Sequence, residues 1–256
     1  MNTRQWVNVL AVLATIAFNL MAEAVPLNGQ TTGEVANRFP IYFFPAGYVF
    51  SIWGLIYVGL LAFAFYQALP SQRDDPRLHG ITPWFVLSSL GNIGWLLLWH
   101  YNAIALSALP ILLLLVSLVA IYLRLDTGRG PASTAEAWLL WAPFSIYLAW
   151  SSVATIADFS IVLWSLGWNG APLAPEVWAI VMMVVAGALA GLATWTRNDF
   201  LFSLVVAWAL IGIAARYPTT QPLAGAAWIV SALVLLAAAF SILRRRRLYG
   251  VVPLAS

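Results

Sequence analysis

The chain contains no cysteine and no lysine, and only 8% of its 256 residues are charged. Without cysteine there can be no disulfide, no thiolate nucleophile and no cysteine-ligated metal centre. The two histidines, His79 and His100, are too few for a histidine metal cage. All twelve basic residues are arginine, and they form no clustered basic surface of the kind that a nucleic-acid partner requires. We therefore expect neither a metal centre nor a nucleic-acid partner.

Apolar residues, in contrast, make up 62% of the chain. A soluble domain carries about a quarter charged residues, so this composition indicates a membrane protein. Apolar runs of about 17–25 residues mark transmembrane helices, and eight occur, at about residues 6–24, 46–68, 83–100, 103–123, 137–161, 177–195, 200–215 and 224–243. The predicted fold is all-α, a polytopic transmembrane helical bundle of about eight spans. The first run is long enough to be retained as a span rather than removed as a secretory signal.

The arginines predict how the bundle is oriented. With eight spans, both termini and alternate loops lie on one side, and that side carries ten arginines against two on the other. The ten are Arg4, Arg73, Arg77, Arg124, Arg129, Arg197 and the four at 244–247; the two are Arg38 and Arg216. The positive-inside rule places both termini in the cytoplasm.

Three of the spans carry aromatic and polar residues in stripes at helical spacing. The stripes are Phe50, Trp53 and Tyr57; Asn92, Trp95 and Trp99; and Tyr147, Trp150, Ala154 and Asp158. Spacings of three, four and seven place each stripe on one face of its helix. At 1.5 Å per residue the three stripes share the outer half of the bilayer, where the first span adds Asn19 and Glu23. Lipid does not require an asparagine or an aspartate, so we predict a ligand-binding site inside the bundle, beneath a lid loop (residues 25–44).

The residues around these stripes resemble the tryptophan-rich sensory protein (TspO) family, which includes the translocator protein, or peripheral benzodiazepine receptor. The prolines and aromatic residues of 39–57 are similar to the start of the family's second helix. Asn92-Ile93-Gly94-Trp95 matches its third helix, and Tyr147-Leu148-Ala149-Trp150 matches its fifth. Two positions depart from the pattern: Ile146 replaces a proline, and Asp158 stands where the family has asparagine.

The resemblance implies a division of the chain and a class of ligand. Residues 1–169 resemble the family's five-helix unit, and residues 170–256 would be the three additional helices and basic cytoplasmic tail of a longer bacterial branch. This implies the bacterial inner membrane and a tetrapyrrole, sterol or synthetic aromatic ligand, in a family that often forms homodimers. The matching pocket positions are Trp53, Tyr57, Asn92, Trp95, Trp150 and Ala154.

Each of these features also has a purely structural interpretation. Trp53, Trp95 and Trp150 either line a pocket or pack ordinary helices, and Asn92 either joins helices or contacts a ligand. Asp158 is either a solvated residue at the outer rim or a functional one.

The last three spans offer fewer signals. They show no intramembrane charge and no comparable stripe, which predicts a scaffold or a partner surface. Gly187 and Gly191 permit close helix approach and either form a homodimer contact or share this spacing by chance in an alanine-rich helix.

The favoured function is an integral membrane receptor or carrier for a large, flat, apolar ligand, with membrane lipids as its other partners. It requires no cofactor, although a tetrapyrrole is a candidate ligand. The alternatives are a tetrapyrrole-degrading enzyme, an ion-coupled transporter and a structural subunit of a membrane complex. An enzyme is the less favoured class because the chain lacks the usual catalytic groups.

Overall fold

A computed structural model describes residues 1–168 and 170–249, with side chains up to Arg244. Within that part the chain is all-helical, as predicted, and eight helices are long. They are α1 Thr3–Ala24, α2 Gly47–Ala68, α3 Pro76–His100, α4 Ile104–Arg124, α5 Thr134–Ser165, α6 Pro175–Arg197, α7 Phe200–Arg216 and α8 Leu223–Tyr249. All except α7 are long and apolar enough to cross a membrane, and α7, with 17 residues, is slightly shorter. The protein is a multi-pass membrane protein.

Helices α1, α3 and α5 begin three or more residues before their predicted apolar runs. The run predicted from residue 83 starts as a helix at Pro76, because the Asp75 side chain caps it by accepting from the Arg77 backbone N–H at 2.8 Å. The fifth helix starts at Thr134, where the Ser133 hydroxyl accepts from the backbone N–H of Glu136 at 3.1 Å. Hydropathy alone misses such polar first turns.

Helix α5 is the centre of the bundle. Of its most apolar stretch, 72% is buried, against 28–39% for the other spans long enough to cross a membrane. It packs against α2, α4 and α7. A residue on α5 can therefore meet side chains from several helices at once.

Helices α3 and α4 form the tight antiparallel hairpin that the short connection after His100 predicts. Gly91 makes this approach possible, since a β-carbon there would lie 2.8 Å from Leu114 N and from Pro110 O. Asn102, in the turn, adopts a left-handed φ of 59°. The hairpin brings Ser107 of α4 close to the last turns of α3.

The last three helices dock onto the first five at the arginine-rich end. Asp199, before α7, accepts hydrogen bonds from the Tyr122 hydroxyl at 2.8 Å and from the Ser145 hydroxyl at 2.6 Å. Arg197 pairs with Asp126 at 3.3 Å. The boundary predicted at residue 169 is thus crossed by buried polar contacts.

The last helices contain two features singled out from the sequence, the glycine pair Gly187 and Gly191 and the arginine cluster at residues 244–247. A β-carbon on Gly187 would lie 2.7 Å from Val230 of α8, so this glycine already serves packing within the chain. Arg244 lies over the ring of Trp195 at 5.5 Å and donates to its carbonyl at 3.0 Å. The side chains of the other three arginines of the predicted cluster, and the tail from residue 250, lie outside the described residues.

Candidate ligand-binding site

The stripes of α2 and α5 meet in one aromatic cluster, defined here as Phe50, Trp53, Tyr57, Tyr147 and Trp150. Trp53 stacks on Tyr57 at a centroid distance of 5.9 Å. The edge of Trp53 also meets Tyr147 at 6.1 Å and Trp150 at 6.4 Å, and Phe50 meets Trp150 at 5.6 Å. Such edge-to-face pairs each contribute about 0.5–1.5 kcal/mol beyond area burial. Five of the predicted site residues therefore contact one another between α2 and α5.

Within this cluster, the buried indole of Trp150 has a polar group without a partner among the described residues. The side chain is only 2% exposed, and among the described residues its Nε1–H makes no hydrogen bond. A buried donor without an acceptor costs about 1–3 kcal/mol. Trp150 therefore holds a buried hydrogen-bond donor that the described residues do not use.

Asn92 joins three helices. Its Oδ1 accepts from Asn19 Nδ2 of α1 at 2.6 Å, and its Nδ2 donates to the Tyr147 hydroxyl of α5 at 3.1 Å. The side chain is fully buried. Asn92 therefore joins helices, which is one of its two interpretations. Its bond to Tyr147 connects the α3 stripe to the aromatic cluster.

Asp158 lies nearer the lid loop and binds α3 and α4. Its Oδ1 accepts from Trp95 Nε1 at 2.8 Å and from the Ser107 hydroxyl at 3.2 Å. Because the residue is only 2% exposed, the interpretation as a solvated aspartate at the rim is wrong. Ala154 is half-buried one turn before Asp158 on the same face. Sequence reasoning missed Ser107, which gives no signal until the α3–α4 hairpin is formed.

The first half of the lid loop is fastened to the last turn of α3. The side-chain amides of Asn28 and Gln30 donate to the His100 carbonyl, Asn28 at 3.0 Å. Trp99, stacked on Trp95 at 5.4 Å, donates through Nε1 to the Thr32 carbonyl at 3.2 Å. The loop therefore contacts the end of the α3 stripe at Trp99.

A short helix inside the loop, Thr32–Ala36, carries its own cap. The Glu34 carboxylate accepts from the Thr31 backbone N–H at 2.7 Å and from the Thr31 hydroxyl at 2.9 Å. These bonds hold the pKa of Glu34 below its ordinary value. Glu23, at the end of α1, accepts from the Thr32 backbone N–H at 3.3 Å.

The second half of the loop lies against α7, which the sequence analysis left without a stripe. Trp208, Gly212 and Arg216 follow one another at intervals of four and face residues 45–49, which directly follow the loop. The regular spacing of these three residues was the only sign of this face in the sequence. It was not informative, because a glycine between an aromatic and a basic residue is common. An apolar cleft of about 330 Å³ opens beside them, between α2, α5 and α7.

Comparison with protein families finds a match over most of the chain. Residues 5–240 match the family described as TSPO-like protein, a range that extends across the last three spans as well as the first five. Comparisons with curated proteins and with solved structures returned no match.

Proposed function

Because this chain belongs to the TSPO-like protein family, we propose that it is an integral membrane receptor or carrier for a large, flat, apolar ligand of the tetrapyrrole type. The ligand would lie against the aromatic cluster, beneath the lid loop. Sterol-like and isoprenoid molecules share the apolar character but lack the flat π-surface that indole rings stack on. The proposal requires no cofactor.

The observation that carries the proposal is the unpaired Nε1–H of Trp150 within the aromatic cluster. Binding sites for small molecules are mostly apolar, with a few polar groups that fix orientation. A ligand with a carbonyl or carboxylate acceptor would satisfy this donor while its flat surface contacts Phe50 and Trp53. The residues thus fit a conjugated ring system with polar substituents.

The rings of the aromatic cluster contact one another in this structure, so a ligand must separate them to enter. Trp53 and Tyr57 are only half-buried and lie on α2, directly after the lid loop. Trp150 and Tyr147 are held on the central helix α5. We therefore expect α2 and the loop to move on binding while α5 stays in place.

The orientation in the membrane is part of the proposal, with both termini in the cytoplasm of a bacterial inner-membrane protein. Two arginines of the predicted cytoplasmic and outer groups, Arg4 and Arg38, make contacts at opposite ends of the bundle. Arg4 donates to the carbonyl of Gln72 at 2.8 Å at one end, and Arg38 donates to Asn102 at 2.8 Å at the other. The site then opens toward the outer surface.

The first test is quenching of tryptophan fluorescence by protoporphyrin IX in the purified protein. We expect saturable quenching at micromolar concentrations, and an affinity more than tenfold weaker in a Trp53→Ala/Trp95→Ala variant. The matched control is Trp6→Ala/Trp228→Ala, which removes two tryptophans that are each 54% exposed. Equal affinity in the site variant and the control would contradict the proposal.

A second variant isolates the hydrogen bond. Trp150→Phe keeps a ring in the aromatic cluster but removes the unused N–H donor. Protoporphyrin IX should bind this variant several-fold more weakly, because its carboxylates lose a buried partner. If Trp150→Phe binds protoporphyrin IX with the affinity of wild type, the proposed polar contact is contradicted and only ring stacking remains.

A further inference from the structure

We infer that α7 fixes the proline segment (residues 40–49), and that Trp208, Gly212 and Arg216 thereby act as positioning residues for the ligand site. The inference rests on the proposed function and assigns a role to the helices that follow the five-helix unit. The proline segment joins the lid loop to the first turn of α2. It is therefore the part of the chain through which loop and site can affect each other.

Helix α7 hydrogen-bonds three main-chain groups of the proline segment. Its prolines lack an N–H and interrupt helical hydrogen bonding, while an unpaired backbone group near lipid costs several kcal/mol. The carbonyl of Val49 accepts from Trp208 Nε1 at 3.1 Å, and the N–H of Ala46 donates to the carbonyl of Gly212 at 3.0 Å. The carbonyl of Pro45 accepts from Arg216 at 3.4 Å.

The packing on this face of α7 is equally close. A β-carbon on Gly212 would lie 2.2 Å from a methyl group of Val49 and 3.1 Å from Pro45 Cβ. A β-carbon at this position would therefore require Val49, and with it the packing of the proline segment on α7, to shift. The ring of Tyr48 packs edge-on against Trp208 at 5.3 Å.

More contacts follow at the end of α7. The guanidinium of Arg216 lies 5.0 Å above the ring of Phe44 and donates to Asn37 at 2.9 Å. The hydroxyl of Tyr217 donates to the carbonyl of Ile41 at 3.0 Å. The second half of the loop is thus bound to α7 along its length, while the first half is bound to α3.

The proline segment leads directly into the aromatic cluster. Val49 precedes Phe50, whose ring contacts both Phe44 at 5.4 Å and Trp150 at 5.6 Å. Trp53 follows one turn later on the same helix. A shift of the segment therefore displaces the two α2 rings that a ligand must meet.

Helix α7 can serve as an anchor because its other end is fixed. Asp199 binds the hydroxyls of Tyr122 and Ser145 and also accepts from the Phe202 N–H at 3.1 Å, which caps α7. The helix is thereby attached to α4 and α5. Its position relative to Trp150 is set by buried polar contacts rather than by lipid.

Hydrogen exchange of the wild-type protein and of two variants, in lipid nanodiscs, tests the anchor without any ligand. Gly212→Ala introduces the clashing β-carbon, and Trp208→Phe keeps the ring but removes the N–H donor. The controls are Gly191→Ala, whose β-carbon would meet no atom within 4 Å, and Trp228→Phe, at a lipid-facing position. We expect the amide of Ala46 to exchange at least tenfold faster in Gly212→Ala, and no change in the controls.

The second readout is the association and dissociation of protoporphyrin IX by stopped-flow quenching. In both site variants we expect the rate constants to change at least threefold, and not in the controls. Unchanged exchange around Ala46 overturns the anchor, and faster exchange with unchanged binding kinetics overturns the positioning role. If wild-type protein does not bind protoporphyrin IX, the proposed function and the positioning role both fail, while the exchange data still decide whether α7 anchors the segment.

Discussion

Replacing Asn92 should reveal how much the polar connection between α1, α3 and α5 contributes to stability. Asn92→Ala removes the bonds to Asn19 at 2.6 Å and to Tyr147 at 3.1 Å. Hydrogen bonds between membrane helices contribute about 0.6–2 kcal/mol each, so the variant should lose about 1–4 kcal/mol of unfolding free energy. Tyr147→Phe removes only the second bond and should lose about 0.6–2 kcal/mol.

A double-mutant cycle separates this bond from other effects of the substitutions. Unfolding by sodium dodecyl sulfate, followed by circular dichroism, gives the free energy for each variant. Asn92→Ala and Tyr147→Phe should couple by about 0.6–2 kcal/mol. The control pair combines Asn92→Ala with Tyr122→Phe, whose hydroxyl binds Asp199 at the opposite end of the bundle, and should be additive within about 0.5 kcal/mol. The reasoning is refuted if the two pairs show the same coupling.

Three further changes have defined outcomes. Gly91→Ala should destabilise the α3–α4 hairpin by about 1–3 kcal/mol, while Gly54→Ala, with open space around its β-carbon, should not; thermal unfolding distinguishes the two. Asp199→Ala should cost about 2–4 kcal/mol in the same assay, because a helix cap and two hydroxyl bonds are lost, and no loss would contradict the assigned attachment of α7. For Glu34 the pKa is lower in the folded loop than in the unfolded chain, so its contribution is present above the ordinary value of 4.5 and is lost as pH falls through the folded value. Exchange of the Thr31 amide should accelerate over that acidic range in wild type but be pH-insensitive, beyond intrinsic exchange, in Glu34→Gln.

The fold could be predicted from the sequence because the membrane reduces the possibilities to helices that cross it. Backbone groups in lipid must bond within their own segment, so long apolar runs can be interpreted directly as helices. The errors lie at helix starts such as Pro76, where polar caps extend a helix beyond its apolar run. Helix α7 was found as a run but is shorter than the other spans.

The candidate site was predictable to the extent that it depends on single-helix periodicity. The spacing of Phe50, Trp53 and Tyr57 determines that they share a face, and the same argument holds for Tyr147 and Trp150. Whether two faces meet is not a property of either helix alone. That Trp53 contacts Tyr147, and that Trp150 keeps an unused N–H, depends on how α2 packs on α5.

What the sequence determined by itself is therefore the number of helices, their order and which face of each carries aromatic and polar groups, because these follow from local periodicity and hydropathy. Only the tertiary structure decided that Asp158 is buried against Trp95 and Ser107, since its environment comes from two other helices. The same is true of α7, whose Trp208 reaches a carbonyl 159 positions away along the chain. Such contacts depend on helix packing, to which ordinary residues such as Gly91 and Gly212 contribute by having no side chain.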